Sequence, residues 1–238
     1  MKNQYFADRR DFYKYDLLLR LMGCGLGFER LVMAWWLTTD DDSGDGEVRD
    51  YTAGARDRAL HDWLQLQHHR ARRDVRRLAE CPRFRNAPWE YLPILDTVPD
   101  DPGARAGYVL TVMAAARVPA LVFLDPDNGM MVKSATWSRR CKYVAYPEVG
   151  RIAAAMHDES LLVVYQHLPR AKREVYYPAA LELLRSEGGV EHVTWVSPDN
   201  LVAYFLITRR AGHLEQVQRA LATYLATNGF HLQAPRDR

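Results

Sequence analysis

Carboxylate and amide side chains follow two short apolar segments of the chain, residues 120–124 and 161–165. Continuous apolar segments of this length are typical of parallel strands that are buried on both faces. The polar residues that follow are Asp125, Asp127 and Asn128 after the first segment, and Gln166, His167 and Arg170 after the second. Ligands bind at the carboxyl ends of strands in open α/β sheets. We therefore predict that these side chains form one site; the alternative is that they only cap turns or satisfy backbone groups.

Two carboxylates beside an amide and a histidine suit a reaction in which positive charge develops at one carbon. Hydrolysis of an N-glycosidic bond is such a reaction, because the departing base leaves an oxocarbenium-like sugar that a carboxylate stabilises. A base-excision enzyme must also hold the flipped nucleotide and the strand around it. The predicted catalytic residues are Asp125, Asp127, Asn128 and His167, and the reaction requires no metal and no organic cofactor.

Basic and aromatic residues are interleaved in residues 133–143. Aromatic rings stack on bases while lysine and arginine hold phosphates, so this segment is predicted to contact nucleic acid. A lid loop anchored by Trp137 and Tyr143 is the alternative. Residues 3–5 are predicted to reach into the same site, or else only to precede a helix that packs against the core. The predicted substrate-binding residues are Asn3, Gln4, Tyr5, Gln166, Arg170, Lys133, Arg139, Arg140 and Lys142.

The order of the apolar segments predicts a three-layer α/β/α sandwich with a mainly parallel sheet and a C-terminal antiparallel hairpin. Turn-forming residues at 197–200 predict the hairpin. Strands are expected near residues 31–38, 91–95, 120–124, 161–165, 193–196 and 201–208, and helices near residues 17–22, 56–80, 107–116, 148–156, 178–184 and 214–224. The helix at 56–80 carries an arginine-rich face, either solvated or facing phosphate. A single domain is expected over residues 1–238, with a polar tail from about residue 232.

Composition narrows the class of protein. The chain has 238 residues, of which 48% are hydrophobic, and is long enough to bury a core. Its three cysteines form neither a disulfide framework nor a C-x-x-C metal pair, and its apolar segments are shorter than a membrane span. We therefore expect a cytoplasmic protein with no membrane partner. Because the net charge is only +2, DNA is predicted as a partner from the local basic segments and not from total charge.

Three other functions fit part of the pattern. Asp125-Pro126 is reminiscent of the Asp-Pro-Pro-Tyr loop of adenine methyltransferases, and a terminal hairpin followed by a helix fits that fold. Against methyl transfer, residues 38–42 lack the glycine-rich sequence that binds S-adenosylmethionine. A nuclease would hold a metal with Asp125 and Asp127, but no clear catalytic lysine motif follows them. A non-enzymatic nucleic-acid-binding protein would use the basic segments alone.

Three motifs carry a resemblance that covers nearly the whole chain. They are K-N-Q-Y-F-A-D at residues 2–8, F-L-D-P-D-N-G at residues 123–129 and Y-Q-H-L-P-R at residues 165–170. With these motifs the chain resembles a family of uncharacterised bacterial proteins, and it is similar to anti-phage DNA glycosylases that remove glucosylated hydroxymethylcytosine. The resemblance implies base excision from modified phage DNA, which leaves abasic sites that block replication. The chain departs from uracil glycosylases, because Phe123-Leu124 stands where their G-Q-D-P-Y loop has Gly-Gln and no H-P-S loop is present.

Overall fold

The computed structural model of the chain describes residues 1–40, 51–70, 73–132, 135–199 and 201–233. Within these ranges the strands are β1 Arg30–Ala34, β2 Glu90–Ile94, β3 Ala120–Leu124, β4 Gly129–Met130, β5 Tyr143–Val144, β6 Leu161–His167, β7 His192–Ser197, β8 Val202–Thr208 and β9 His231–Gln233. The α-helices are α1 Arg9–Met22, α2 Arg58–His69, α3 Pro82–Arg85, α4 Pro102–Ala115, α5 Tyr146–Ala155, α6 Arg173–Ser186 and α7 Ala211–Thr227. Short 3-10 helices cover Asn3–Tyr5, Val75–Glu80 and Trp137–Lys142.

The main sheet has seven strands in the order β2-β1-β3-β6-β8-β7-β9. Strands β2, β1, β3 and β6 are parallel to their neighbours, whereas β8 is antiparallel to both β6 and β7 and β9 is antiparallel to β7. Five of the seven strands therefore point the same way. The predicted mainly parallel sheet with a C-terminal antiparallel pair is confirmed. Strands β4 and β5 form a separate parallel pair that the sequence did not predict.

Alternate residues of each central strand pack on opposite faces of the sheet. In β1, Leu31 and Met33 join the core beneath α1, α2 and α7, while Val32 and Ala34 join the core beneath α4 and α5. β3 divides in the same way, and all five of its residues are buried. Parallel strands with helices on both faces have this pattern. The predicted α/β/α sandwich is confirmed.

Several predicted boundaries were wrong, including the starts of α1 at Arg9 and of α6 at Arg173, which were expected near residues 17 and 178. Strand β1 ends at Ala34, because Trp36 adopts a left-handed backbone with φ of 48° that breaks the extended run. The single helix expected over residues 56–80 is two elements, since the Asp74 side chain accepts a hydrogen bond from the Arg76 N–H and starts a separate 3-10 helix. Helix α4 begins at Pro102 instead of residue 107, because proline is favourable in the first helical turn and Asp101 caps it.

Arginines of the segment around Asp74 are held by neighbouring groups. Arg76 and Arg77 lie 2.7 Å from carboxylates of Asp74 and Glu80, respectively, and Arg73 donates to the Gln4 carbonyl at 2.8 Å. This pairing reduces the positive charge that the segment presents, so it does not favour the phosphate-facing alternative. Arg72 lies outside the described residues.

Strand β9 pairs with β7 where the sequence predicted the start of a polar tail. Residues 234–238 of that tail lie outside the described residues. No helix in the described part of the chain has the length and apolar character needed to cross a membrane.

We expect Gly150→Ala to destabilise the protein by about 1–3 kcal/mol or more, because overpacking a close contact forces the backbone to move. A Cβ atom at Gly150 in α5 would meet the Gly188 carbonyl oxygen at 1.8 Å. Gly107→Ala in α4 is the matched control, since a Cβ atom there meets nothing within 4 Å. The control is expected to stabilise by about 0.5–1 kcal/mol. Urea unfolding measures both, and equal effects would contradict the packing argument.

Candidate active site

The ends of β3 and β6 lie side by side. The two strands pair in parallel from Leu121 with Leu161 to Leu124 with Val164. The residues that follow β3 and the last residues of β6 are therefore at one edge of the sheet. Helix α1 crosses this edge, and it contributes charged side chains that the sequence analysis did not assign to the site.

A cavity of about 220 Å³ opens at this edge. Five residues predicted for the site line it: Tyr5, Asp125, Asp127, Asn128 and His167. Others that line it were not predicted: Met1, Asp8, Arg10, Asp11, Lys14 and Tyr165. The predicted residues Asn3, Gln4, Gln166, Arg170, Arg139, Arg140 and Lys142 do not line it, and Lys133 lies outside the described residues.

Lys14 forms the centre of the cavity floor. Its Nζ lies 2.8 Å from Asp11 Oδ1 and 2.6 Å from Asp125 Oδ2, and all three side chains are at most 3% exposed. Burial alone would lower the pKa of Lys14, but the carboxylates of Asp11 and Asp125 outweigh burial and raise it. Burial raises the pKa of Asp125, and Lys14 opposes that shift. Because an ammonium that stays charged lies 2.6 Å away, we treat Asp125 as ionised at neutral pH.

Asp8 lies beside this ion cluster at the start of α1. As the N-cap residue, it accepts a hydrogen bond through Oδ1 from the Asp11 N–H at 2.8 Å. Burial, reinforced by the Asp11 carboxylate, raises the pKa of Asp8 to about 7. Asp8 is therefore a buried carboxyl group of the cavity that changes protonation near neutral pH.

Asp127 lies between two lysines. Its Oδ2 is 4.0 Å from Lys2 Nζ and 3.7 Å from Lys142 Nζ, and its side chain is 6% exposed. Both distances exceed hydrogen-bond length, so these two positive charges act on Asp127 without bonding directly to it. The carboxyl group of Asp127 can therefore hydrogen-bond to a water molecule in the cavity.

His167 contacts Arg10 at the cavity wall. Arg10 Nη1 is 3.3 Å from His167 Nε2, and burial together with the Arg10 charge lowers the pKa of His167. A guanidinium can only donate, so Nε2 must accept and the ring proton is assigned to Nδ1. The imidazole is therefore neutral at pH 7.

Gln166 was predicted to bind substrate, but its amide is engaged by the protein. Oε1 accepts from the Met130 N–H at 2.8 Å, and Nε2 donates to the carbonyl oxygens of His167 at 2.6 Å and Asn128 at 3.3 Å. The Gln166 side chain also lies where a Cβ atom on Gly129 would be, at 2.5 Å. Gln166 therefore positions the loop between β3 and β4, which carries Asp127 and Asn128.

We expect Gln166→Leu to lower the free energy of unfolding by about 2–3 kcal/mol, because it leaves the buried Met130 N–H without its partner. Gln218→Leu on the partly exposed face of α7 serves as the control and is expected to change stability by about 0.5 kcal/mol or less. Chemical denaturation of both variants tests the prediction. A Gln166→Leu variant as stable as the control would mean that the amide does not hold this loop.

The other predicted substrate-binding residues have different surroundings. Asn3 Oδ1 accepts from the Val75 N–H at 3.0 Å, and the Gln4 N–H donates to Asp40 at 3.4 Å, so both tie the N-terminal segment to neighbouring segments. Tyr5 reaches the cavity, with Lys2 Nζ 5.4 Å from its ring centre. Arg139, Arg140 and Arg170 are exposed and do not line the cavity.

Sequence reasoning missed the contribution of α1. Asp8, Asp11 and Lys14 are spaced by three residues, which places them on neighbouring positions of one helical face. Asp11 and Lys14 are buried together with the apolar residues of the same helix. Charged residues at helical spacing among core positions were the signal that could have identified them.

No group of three or more histidine, cysteine, aspartate or glutamate residues in the described ranges is arranged to hold a metal ion. Comparison of the chain with models of protein families, with curated proteins and with solved structures finds no match.

Proposed function

We propose that this chain is a DNA glycosylase. It would hydrolyse the N-glycosidic bond of a modified base, of the glucosylated hydroxymethylcytosine type, in phage DNA. The abasic sites that result would block replication and act as an anti-phage defence in the cytoplasm. The observation that carries the proposal is a cavity at the ends of β3 and β6 that is lined by carboxylates, a lysine and a neutral histidine.

The volume of the cavity supports a single ring as its occupant. Sites that enclose a drug-sized ligand measure roughly 300–1,000 Å³. The cavity of about 220 Å³ is smaller, so it can take one ring system but not a dinucleotide. A nucleobase that has been flipped out of the helix is such a ring. Tyr5 and Tyr165 provide aromatic surfaces for the base, and the glucose of a glucosylated base, which is a second ring, would lie outside the cavity at its open mouth.

Four side chains of the cavity have roles in the proposed reaction. The ionised Asp125 lies in a site almost closed to water, where its negative charge would stabilise the oxocarbenium-like sugar. Asp127 would orient the attacking water and accept its proton. Asn128 and the Nδ1–H of His167 would hydrogen-bond to the base. No step requires a metal or an organic cofactor.

Positive charge around the mouth supports a nucleic-acid substrate. Lys142 is 30% exposed next to Asp127, and Arg139, Arg140 and Arg170 are exposed in the flanking segments. These side chains would bind phosphates on either side of the flipped nucleotide. The phosphate contacts would hold the strand, while the cavity would select the base.

Methyl transfer remains the second candidate, because one observation favours it: the antiparallel pair of β7 and β8 is followed by α7, as that fold requires. Two observations oppose it. In this fold a cofactor would bind where the strand order reverses, which is between β1 and β3. The N-terminus occupies that position, because the Met1 nitrogen donates there to the carbonyl oxygens of Trp36 and Asp125. The cavity is also too small for S-adenosylmethionine together with a base.

Incubation with glucosylated and unmodified DNA, followed by alkali, tests the proposal. We expect alkali-dependent strand breaks in glucosylated DNA without any added metal or methyl donor. Methyl incorporation from S-adenosylmethionine would instead indicate a methyltransferase. Breaks that need magnesium but no alkali would indicate a nuclease, and binding without any reaction would indicate a non-enzymatic DNA-binding protein. Each of these last three outcomes would overturn the proposal.

A further inference from the structure

Asp8 occupies a position in the cavity that the proposed roles leave unused. Its side chain lines the cavity floor and is buried, and Oδ1 is committed to the Asp11 N–H. No partner for Oδ2 is found among the described residues, so this oxygen is available to a ligand. By contrast, Asp11 uses both oxygens, which accept from Lys14, Tyr15 and the Ala7 N–H.

A departing base needs a proton as well as a place to bind. When the bond between C1′ and nitrogen breaks, its electron pair stays with the base, and that negative charge must be neutralised. Lys14 holds Asp125 ionised, and Asp127 accepts the proton of the attacking water in the proposed reaction, so neither of them is the proton donor. Among the described residues that line the cavity, Asp8 is the carboxyl group without a lysine Nζ within 4 Å.

We propose that Asp8 is the general acid that protonates the leaving base, an inference that rests on the proposed function. The Asp8 proton goes to the base as the C1′–N bond breaks. The oxygen of a water molecule bonds to C1′, and the water proton goes to Asp127. Asp127 then releases this proton and Asp8 takes one from solvent, so the net reaction is hydrolysis.

The surroundings of Asp8 supply it with a proton near neutral pH. Burial raises the pKa of Asp8 to about 7, and the Asp11 carboxylate adds to the shift, while Lys14 and Arg10 act against it. The titratable groups that interact with Asp8 or share its cavity from outside α1 are Tyr51, Tyr165, His167, Asp125, Asp127 and the Met1 amino group. Burial raises the pKa of Tyr51 and Tyr165, so they remain neutral, and it lowers the pKa of His167 and of the Met1 amino group. An acid whose pKa lies near the working pH is the most effective proton donor.

The test compares Asp8→Asn with wild type in single-turnover base excision from glucosylated DNA as a function of pH. Asparagine caps a helix as well as aspartate does but cannot donate a proton in this way. Asp101→Asn is the matched control, because Asp101 is the N-cap of α4 and lies away from the cavity. Titration of ¹³C-labelled aspartate by NMR provides a readout that is independent of activity.

We expect the wild-type rate to fall tenfold per pH unit above about pH 7, where Asp8 loses its proton. Asp8→Asn should be slower by a factor of about 10²–10⁴ and should lack this fall, and it should lack one carboxyl signal that titrates near pH 7. Asp101→Asn should match wild type. If Asp8→Asn does not fold, Asp8→Ser retains a capping group and takes its place.

Two results would overturn the inference in distinguishable ways. Wild-type protein that forms no abasic sites would overturn the proposed function and, with it, the role of Asp8. Active wild-type protein alongside an Asp8→Asn variant with an unchanged pH profile would overturn the role of Asp8 alone and leave the glycosylase proposal standing.

Discussion

Replacing Lys14 by methionine is expected to lower the free energy of unfolding by about 3–5 kcal/mol, because it leaves buried carboxylates without their counter-charge. The Lys14 ammonium lies between Asp11 and Asp125 at 2.8 and 2.6 Å, and the three side chains are almost fully buried. Methionine fills a similar volume, so the loss would reflect charge more than packing. Urea unfolding at pH 7 measures the effect.

Arg58→Met is the matched control for this substitution. Arg58 pairs with Asp62 at 2.9 Å on the surface of α2, where the two side chains are 80% and 56% exposed. Exposed pairs of this kind contribute about 0.3–0.5 kcal/mol. The double variant Lys14→Met with Asp125→Asn should regain part of the stability, since it removes one of the unpaired charges. A Lys14→Met variant that loses no more stability than Arg58→Met would show that the buried ion cluster does not hold α1 on the sheet.

The loss in free energy of unfolding that Lys14→Met causes should depend on pH. Burial raises the pKa of Asp125 and Lys14 opposes that shift, so without the ammonium the native-state pKa of Asp125 would lie further above that of the unfolded chain. The native state would then bind more protons than the unfolded state, so stability would be greatest at low pH and would be lost as pH rises. We therefore expect the difference between the variant and wild type to shrink from pH 7 toward about pH 5. A difference that grows on acidification would contradict this explanation.

Local patterns were sufficient for the sheet. The apolar segments at residues 120–124 and 161–165 are buried along their length because helices cover both faces, and such strands read as continuous apolar runs. Strands β7 and β8 pair in antiparallel fashion as predicted. Prediction was poor where tertiary contacts override local preference. The strand expected over residues 31–38 ends early, because Trp36 has a left-handed backbone and its ring donates to the Tyr143 carbonyl.

The site was predictable only in part, because many of its side chains come from α1 and the N-terminal segment, which are distant in sequence from β3 and β6. Asp125 and His167 follow strands whose pairing can be inferred from topology. Lys14 meets Asp125 across 111 residues, a contact that no local pattern contains. Gln166 was assigned to substrate because it is polar at a strand end, yet its amide holds the loop that carries Asp127. The residue types correctly predicted a polar edge of the sheet. The role of each side chain, however, depends on the hydrogen bonds that it makes within the folded protein.

Asp127→Asn is expected to slow base excision by a factor of about 10²–10⁴, because asparagine cannot accept the proton of the attacking water. Asp127 lies 3.7 Å from Lys142 and 4.0 Å from Lys2, too far for a direct hydrogen bond, so the substitution should cost less stability than Asp125→Asn, which breaks the 2.6 Å contact with Lys14. Single-turnover rates on glucosylated DNA and denaturant unfolding measure the two effects separately.

The exposed pair of Asp158 and Arg209 supplies the control for this comparison. Asp158→Asn removes a carboxylate that is 54% exposed and does not line the cavity, and its rate and stability should match wild type. DNA affinity should also be unchanged in Asp127→Asn, or slightly higher, since the variant removes a negative charge beside Lys142, which we propose to bind phosphate. If Asp127→Asn folds and binds DNA normally but excises no base, Asp127 is the residue that orients the attacking water and accepts its proton. Excision at the wild-type rate would transfer that role to Asp125, the other carboxylate that follows β3.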